Sequence, residues 1–305
     1  MVNTELTFNT HGGTEIAATF TAPSGRGVFP AVLLCQGLSG VRHLVLPRIA
    51  EGLAERGFAS LRFDYAGHGE SGGPRGLIDP FARVVDGRYA LATLLTLGEV
   101  DSDRVGVYGH SYGGPIAIQL AAQERRARAL VAVSSPGSGL DMLRASRPEW
   151  DWIALMKRVD AERAAVAGGA PPTIVDLETI FPFSPKFAEA YAKLKTGGTS
   201  AKVAGSGLGV SQFDLASVDR MIAFDPESAA RNLVHCPTLL VHGEDDDTAP
   251  MSTVAATYRA IPGPKHWHSV PKADHNALDT EPLLTSVLTW AGDWFARHLS
   301  PADTG

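Results

Sequence analysis

The sequence predicts an α/β protein: a mostly parallel sheet with helices on both faces and one large insert. Three observations carry this. After two opening strands, apolar strand-like runs alternate with helical patterns, the signature of a parallel sheet wrapped by crossover helices. Glycine-rich turns follow several of these runs directly, and ligands of such sheets bind at the strands' carboxyl ends. Finally, roughly a hundred residues, 135–238, carry no clear sheet strand, where a crossover needs only about a dozen. A chain of 305 residues then divides into a core domain, 1–136 and 234–305, and a mainly helical cap, 137–233, inserted after the sixth strand.

Residues 5–9 and 15–21 alternate apolar and polar side chains around His11-Gly12-Gly13, as in a hairpin. Residues 29–35 are continuously apolar, which suits a strand covered on both faces. Gln36-Gly37-Leu38-Ser39-Gly40 follows, flexible enough to aim a peptide N–H at a ligand. Residues 46–56 read as a helix closed by Gly57, and 58–64 as the next strand. A glycine-rich loop covers 64–73. Asp79-Pro80 opens a helix to about Leu97, with Phe81, Val84, Leu91 and Leu95 inward.

Residues 104–108 form a strand that runs into Gly109-His110-Ser111-Tyr112-Gly113-Gly114 and a small-residue helix over 115–123. A strand, a tight Gly-x-Ser-x-Gly turn and a helix make a nucleophile elbow, which holds a serine hydroxyl exposed at a strand end. One more strand spans 129–134.

In the insert, 148–166 and 185–195 read as helices, the first with Trp152, Leu155, Met156 and Val159 on one side. Trp150, Phe181 and Phe183 add aromatic bulk. Residues 197–209 read as a mobile loop and 226–233 as a short helix. The sheet resumes at 237–241, with a helix at 252–260, a last strand at 266–270 and a closing helix over 281–299. That helix should bury Leu284, Val287, Leu288, Ala291 and Phe295.

The composition, 44% hydrophobic and 20% charged with net charge −6, is that of a globular protein. No basic stripe suggests nucleic acid, and no apolar run suggests a membrane partner. Cys35 and Cys236 lie in or beside apolar strands and read as buried free thiols. With an N-terminus unlike a signal peptide, they suggest a cytoplasmic protein. The acidic run 244–247 has no clustered His or Cys, so neither metal nor cofactor is expected. The oligomeric state is left open, a homodimer among the options.

Three strand ends offer Ser111, an acid within 244–247, and His275. An imidazole can take the serine proton during attack and return it to the leaving group. A carboxylate fixes the imidazole tautomer and stabilises its cation. Asp274 is the other acid near His275, but adjacent residues on a tight loop rarely face each other.

The order Ser, acid, His is that of α/β-hydrolases, and the chain resembles that superfamily along most of its length. The segment Phe63-Asp64-Tyr65-Ala66-Gly67-His68-Gly69-Glu70-Ser71 is typical after its fourth strand. His242-Gly243-Glu244-Asp245-Asp246-Asp247-Thr248-Ala249-Pro250 is similar to its pattern His-Gly-x-x-Asp-x-x-Val-Pro. The resemblance implies Asp246 as the acid, the Leu38 and Tyr112 amides as the oxyanion hole, and structural roles for His68 and His110. Where the family often has His-Gly, this chain has Gln36-Gly37, which leaves Gln36 as a substrate contact. His43, just past that loop, is a further pocket candidate. Trp152, Met156 and Phe183 either line a pocket or pack the cap's own core.

Leu46-Pro47-Arg48-Ile49-Ala50-Glu51 and Gly73-Pro74-Arg75-Gly76-Leu77-Ile78-Asp79-Pro80 resemble a narrower group. It spans dienelactone-hydrolase-like proteins and the thiohydrolases or polyketide acyltransferases of secondary metabolism. The implied activity is cleavage of a fairly apolar small-molecule ester, lactone or thioester through an acyl-enzyme. Acyl transfer and carbon–carbon bond hydrolysis are alternatives on the same triad. A non-catalytic binding protein is the remote one, since such proteins usually lose a triad member.

Overall fold

The apolar runs become strands whose neighbours are settled by what each face must cover. A computed structural model describes residues 1–196 and 212–300. Its main sheet has eight strands: β1 (Val2–Asn9), β2 (Glu15–Ala22), β3 (Phe29–Cys35), β4 (Ala59–Phe63), β5 (Val100–His110), β6 (Ala127–Val133), β9 (Thr238–Gly243) and β10 (Lys265–Val270). A separate two-stranded ribbon joins β7 (Ile174–Asp176) to β8 (Gln212–Asp214). The order is β1-β2-β4-β3-β5-β6-β9-β10. The hairpin β1–β2 is antiparallel and β2 joins β4 antiparallel, while every later pairing is parallel.

The helices are α1 (Leu46–Glu55), α2 (Pro80–Leu94), α3 (Gly113–Gln123), α4 (Gly139–Ala145), α5 (Glu149–Ala167), α6 (Leu177–Ile180), α7 (Pro185–Thr196), α8 (Ser217–Ala223), α9 (Pro226–Ala230), α10 (Met251–Ala260) and α11 (Leu283–His298). Alternate residues of β3 serve the sheet's two faces. Leu33 packs with α2 and α3 residues such as Leu91 and Ile116. Leu34 packs with α1 and α11 residues such as Leu53 and Val287. Asp79 caps α2 as expected, accepting from the Phe81 and Ala82 amides at 2.9 and 3.1 Å.

All five residues expected on the inner face of α11 are buried. Phe295 is fully buried, and a methyl carbon added to Gly106 of β5 would lie 2.6 Å from its ring. Phe295→Ala is therefore expected to cost about 3–5 kcal/mol. Chemical denaturation should show a lower midpoint with an unchanged slope.

Two expectations fail. Phe81 does not point inward: it is 46% exposed and meets Phe224 edge-on at 5.3 Å. The α2 stripe is instead interrupted by buried Arg83 and Asp86. The segment between β6 and β9 also contains strands, β7 and β8, although these pair only with each other. At three residues each they are too short to show an alternation. The glycine-rich stretch 197–209 lies outside the described residues.

The 137–233 segment packs on the sheet's carboxyl edge through one apolar cluster. Met142, Leu155, Val159, Phe181, Phe213 and Met221 enclose Ile78 and Tyr112 of the flanking loops. Polar ties reinforce it: the Ile78 amide donates to Ser217 Oγ at 2.9 Å, and the Asp214 amide to the Gly76 carbonyl at 2.9 Å. Trp150, expected to add aromatic bulk, is 73% exposed. Among the described residues no helix is long and apolar enough to cross a membrane.

Candidate active site

The Gly-x-Ser-x-Gly turn makes the sharp bend its composition predicts. Ser111 has φ 50°, in the left-handed region that non-glycine residues rarely occupy. The bend survives because its surroundings over-determine it. The Ser111 amide donates to the Val133 carbonyl of β6 at 2.9 Å, and the Ser111 carbonyl accepts from the Gly114 amide at 2.8 Å. A side chain on Gly113 would meet the Cys35 carbonyl oxygen at 2.2 Å, so only glycine lets α3 start this close to β3.

Two further strand ends converge on this serine. Ser111 Oγ lies 2.9 Å from His275 Nε2, and His275 Nδ1 lies 2.8 Å from Asp246 Oδ2. The carboxylate accepts the Nδ1 proton, which leaves the Nε2 lone pair facing the serine hydroxyl. The other Asp246 oxygen accepts from the Thr248 and Ala249 amides at 3.0 and 2.7 Å. Ser134 Oγ donates to the His275 carbonyl at 3.2 Å. His242 is buried beneath the acid loop, its Nε2 donating to the Ala249 carbonyl at 2.6 Å.

Burial works against the His275 cation, but the charge and hydrogen bond of Asp246 outweigh it, and the imidazole pKa is raised. Burial likewise opposes ionisation of Asp246. Its carboxyl is nevertheless held below the usual range by His275 and by the amides it accepts. Asp245 and Asp247 are exposed. Asp274 bonds its own loop, accepting from the Asn276 and Ala277 amides at 3.1 and 3.0 Å.

The loop after β3 lies against the elbow: a side chain on Gly37 would touch Ser111 Cβ at 3.3 Å. Among the described residues neither the Leu38 nor the Tyr112 amide donates to a protein acceptor. Gln36, expected to contact substrate, has a different use. It is 2% exposed; its side-chain oxygen accepts from the Gly37 amide at 2.8 Å and its nitrogen donates to the Val41 carbonyl at 2.7 Å. These bonds brace the loop from within.

His43 also departs from expectation. It lies 3.7 Å from Glu70 and lines a cavity of about 500 Å³ with Glu5, Leu6, Thr7, Ala17, Arg42 and Glu70. No triad candidate lines that cavity. Trp152, Met156 and Phe183, by contrast, are partly buried against the apolar cluster that contains Tyr112, and Leu38 joins them. Phe187 of α7, carried on the helix expected over 185–195, meets the His275 ring edge-on at 6.0 Å and Phe183 at 4.9 Å.

A second His–Asp pair sits beside the first. His110 Nε2 lies 2.6 Å from Asp279 Oδ2, tying the elbow to the turn that follows His275. The two residues are 169 positions apart, a pairing that sequence spacing does not reveal. Among the described residues no group of three or more His, Cys, Asp or Glu side chains could hold a metal ion.

The family model described as alpha/beta hydrolase fold matches residues 30–282. The chain belongs to the alpha/beta hydrolase fold family. Among curated relatives, a thiohydrolase of Eupenicillium brefeldianum is 28% identical over 271 residues, covering 86% of this chain and 83% of that protein. The acyltransferase drtE of Aspergillus calidoustus is 26% identical over 298 residues, covering 96% and 94%. Among solved structures, DcsB in complex with its substrate analogue superposes with a TM-score of 0.83 at 23% identity, covering 97% of this chain and 100% of that one. The hydrolase fold, its mostly parallel sheet and the likeness to thiohydrolases agree with the sequence reading.

Proposed function

We propose that this hydrolase cleaves a fairly apolar small-molecule ester, lactone or thioester through an acyl-enzyme on Ser111. The observation that carries the reading is the unbroken line Ser111–His275–Asp246, at 2.9 and 2.8 Å. Ser111 Oγ attacks the carbonyl carbon as His275 Nε2 takes its proton. The Leu38 and Tyr112 amides hold the oxyanion. Collapse breaks the bond to the leaving alcohol or thiol, which receives the His275 proton. A water, deprotonated by the same nitrogen, then releases the acid and restores Ser111.

Segment 137–233 acts as a cap over this centre, and its aromatic side chains favour an apolar acyl or alcohol portion. Trp152, Met156 and Phe183 share a cluster with Leu38, which supports a pocket at this boundary. The thiohydrolase relative supports a thioester or activated ester of natural-product type. The buried free thiols Cys35 and Cys236 fit a cytoplasmic setting.

A fluorophosphonate probe should label Ser111 once per chain, and a panel of esters, lactones and thioesters of graded length should yield a best acyl class. Folded protein that takes no label on Ser111 would falsify the reading. The acyltransferase relative favours a second reading, in which an alcohol or amine replaces water. Product analysis with added acceptors separates the two: the free acid supports hydrolysis, and an acceptor-linked acyl group supports transfer.

A further inference from the structure

We infer that Arg83 is a positioning residue for the oxyanion hole, acting through the Gly37–Leu38 peptide; this rests on the acyl-enzyme reading. Arg83 projects from the first turn of α2 and is 2% exposed. Its guanidinium donates from Nη1 to the Gly37 carbonyl at 3.3 Å and from Nη2 to the Leu38 carbonyl at 2.7 Å. The Gly37 carbonyl and the Leu38 N–H belong to one planar trans peptide, so they point in opposite directions. Holding that carbonyl on Arg83 turns the Leu38 N–H away from α2. The bond to the Leu38 carbonyl fixes the next peptide as well, so the chain is clamped on both sides of the proposed donor.

The preceding amide of this loop is already occupied. The Gly37 N–H donates to Gln36 Oε1 at 2.8 Å and so is not free to meet a ligand, whereas the Leu38 N–H donates to no protein acceptor among the described residues. A cation on the carbonyl of a peptide also polarises that peptide and strengthens its N–H as a donor.

Two features set Arg83 apart from an ordinary structural arginine. Among the described residues no carboxylate lies within salt-bridge distance of it, although burying an unpaired charge is costly. Its remaining partners are neutral. His68 Nε2 accepts from Nη2 at 2.9 Å, and the Tyr65 ring lies 4.8 Å from the guanidinium carbon. His68 donates its Nδ1 proton to the Ala66 carbonyl at 3.1 Å, which fixes the tautomer that accepts from Arg83. Burial and the neighbouring Arg83 push the His68 pKa down to about 3, so the ring stays neutral. With Asp86 and Asp79 acting on it only from beyond salt-bridge distance, the positive charge stands one peptide away from where negative charge would develop in the transition state. The glycine-rich loop after β4, which contributes His68, serves the oxyanion loop through this contact.

The test compares wild type, Arg83→Lys and Arg83→Met, with His68→Gln as a variant that leaves Arg83 in place. Fluorophosphonate titration counts competent sites, and kcat is expressed per labelled site. For Arg83→Met, kcat per site should fall by about 10- to 100-fold, part of the loss that follows removal of a whole donor. KM should stay within about threefold. A trifluoromethyl ketone matched to the best ester, which forms a tetrahedral adduct, should weaken by the same factor as kcat/KM. Arg83→Lys, keeping the charge but losing the fork, should fall between the two. His68→Gln should shift kcat and ketone affinity in the same direction by less, and it carries the test if both Arg83 variants fail to fold.

Unchanged kcat per labelled site and unchanged ketone affinity, with only a lower labelled fraction or Tm, would show Arg83 to be purely structural and overturn the inference. Wild-type protein that takes no label at Ser111 would instead sink the acyl-enzyme reading itself.

Discussion

Replacing Ser111 with alanine is expected to lower kcat by about 10⁵- to 10⁶-fold while the protein remains folded. The size follows from what is removed. Among the described residues the hydroxyl is the only hydrogen-bond partner of His275 Nε2, so its loss would end the proposed acyl-enzyme formation altogether. Residual hydrolysis would come from water in the proposed oxyanion hole, which the substitution leaves in place. His275→Ala should be similarly severe, and the double variant little worse than either, because the two act as one unit. Stability offers an independent check. Ser111 holds φ 50°, a conformation that costs on the order of 1 kcal/mol or more for any residue with a side chain. Ser111→Ala retains that strain, whereas Ser111→Gly relieves it and should melt at a higher temperature than Ser111→Ala. Thermal unfolding and turnover on the best ester would therefore diverge: glycine more stable, both inactive. Substantial turnover in either variant would mean that the nucleophile lies elsewhere.

The sequence disclosed what depends on local pattern. The continuous apolar run of 29–35 marked β3 as covered on both faces, and Asp79-Pro80 marked the start of α2. The 109–114 turn carried its own reason for glycine, because Gly113 must pass the Cys35 carbonyl. Long-range polar pairings were harder to see. Arg83 occupies an apolar-stripe position in α2, where a charged residue reads as an exposed one, and only the folded loop shows the carbonyls it serves. His110 reads as a turn residue until Asp279, 169 residues away, closes on it. Gln36 reads as a substrate contact because it follows a strand end. Its short side chain instead folds back onto its own loop, a local competition that polar side chains often win. The segment over the site was visible mainly as a break in the alternation. Its small ribbon and its anchoring on Tyr112 depend on contacts between stretches with no shared pattern.

The acid poses the sharpest test of how the site works, because three aspartates stand in a row. Asp246→Asn should lower kcat by about 10⁴-fold, whereas Asp245→Asn and Asp247→Asn, at exposed positions, should stay within about tenfold of wild type. One Asp246 oxygen accepts from the Thr248 and Ala249 amides and the other faces His275 Nδ1. An asparagine keeps its carbonyl oxygen on the two amides and so turns its NH₂ toward Nδ1. The imidazole must then accept at Nδ1 and carry its proton on Nε2, aimed at Ser111, where a base needs a lone pair. The pH profile carries the same argument. As the proposed base, His275 would act only when neutral, so wild-type kcat/KM should fall as pH drops through its pKa. That pKa is raised by Asp246 above the ordinary value of about 6.5. Without the Asp246 charge, burial prevails and lowers it, so the acidic limb of the residual Asp246→Asn activity should move to lower pH. A limb that stays in place, or a greater loss in Asp245→Asn or Asp247→Asn, would assign the acid to a different carboxylate.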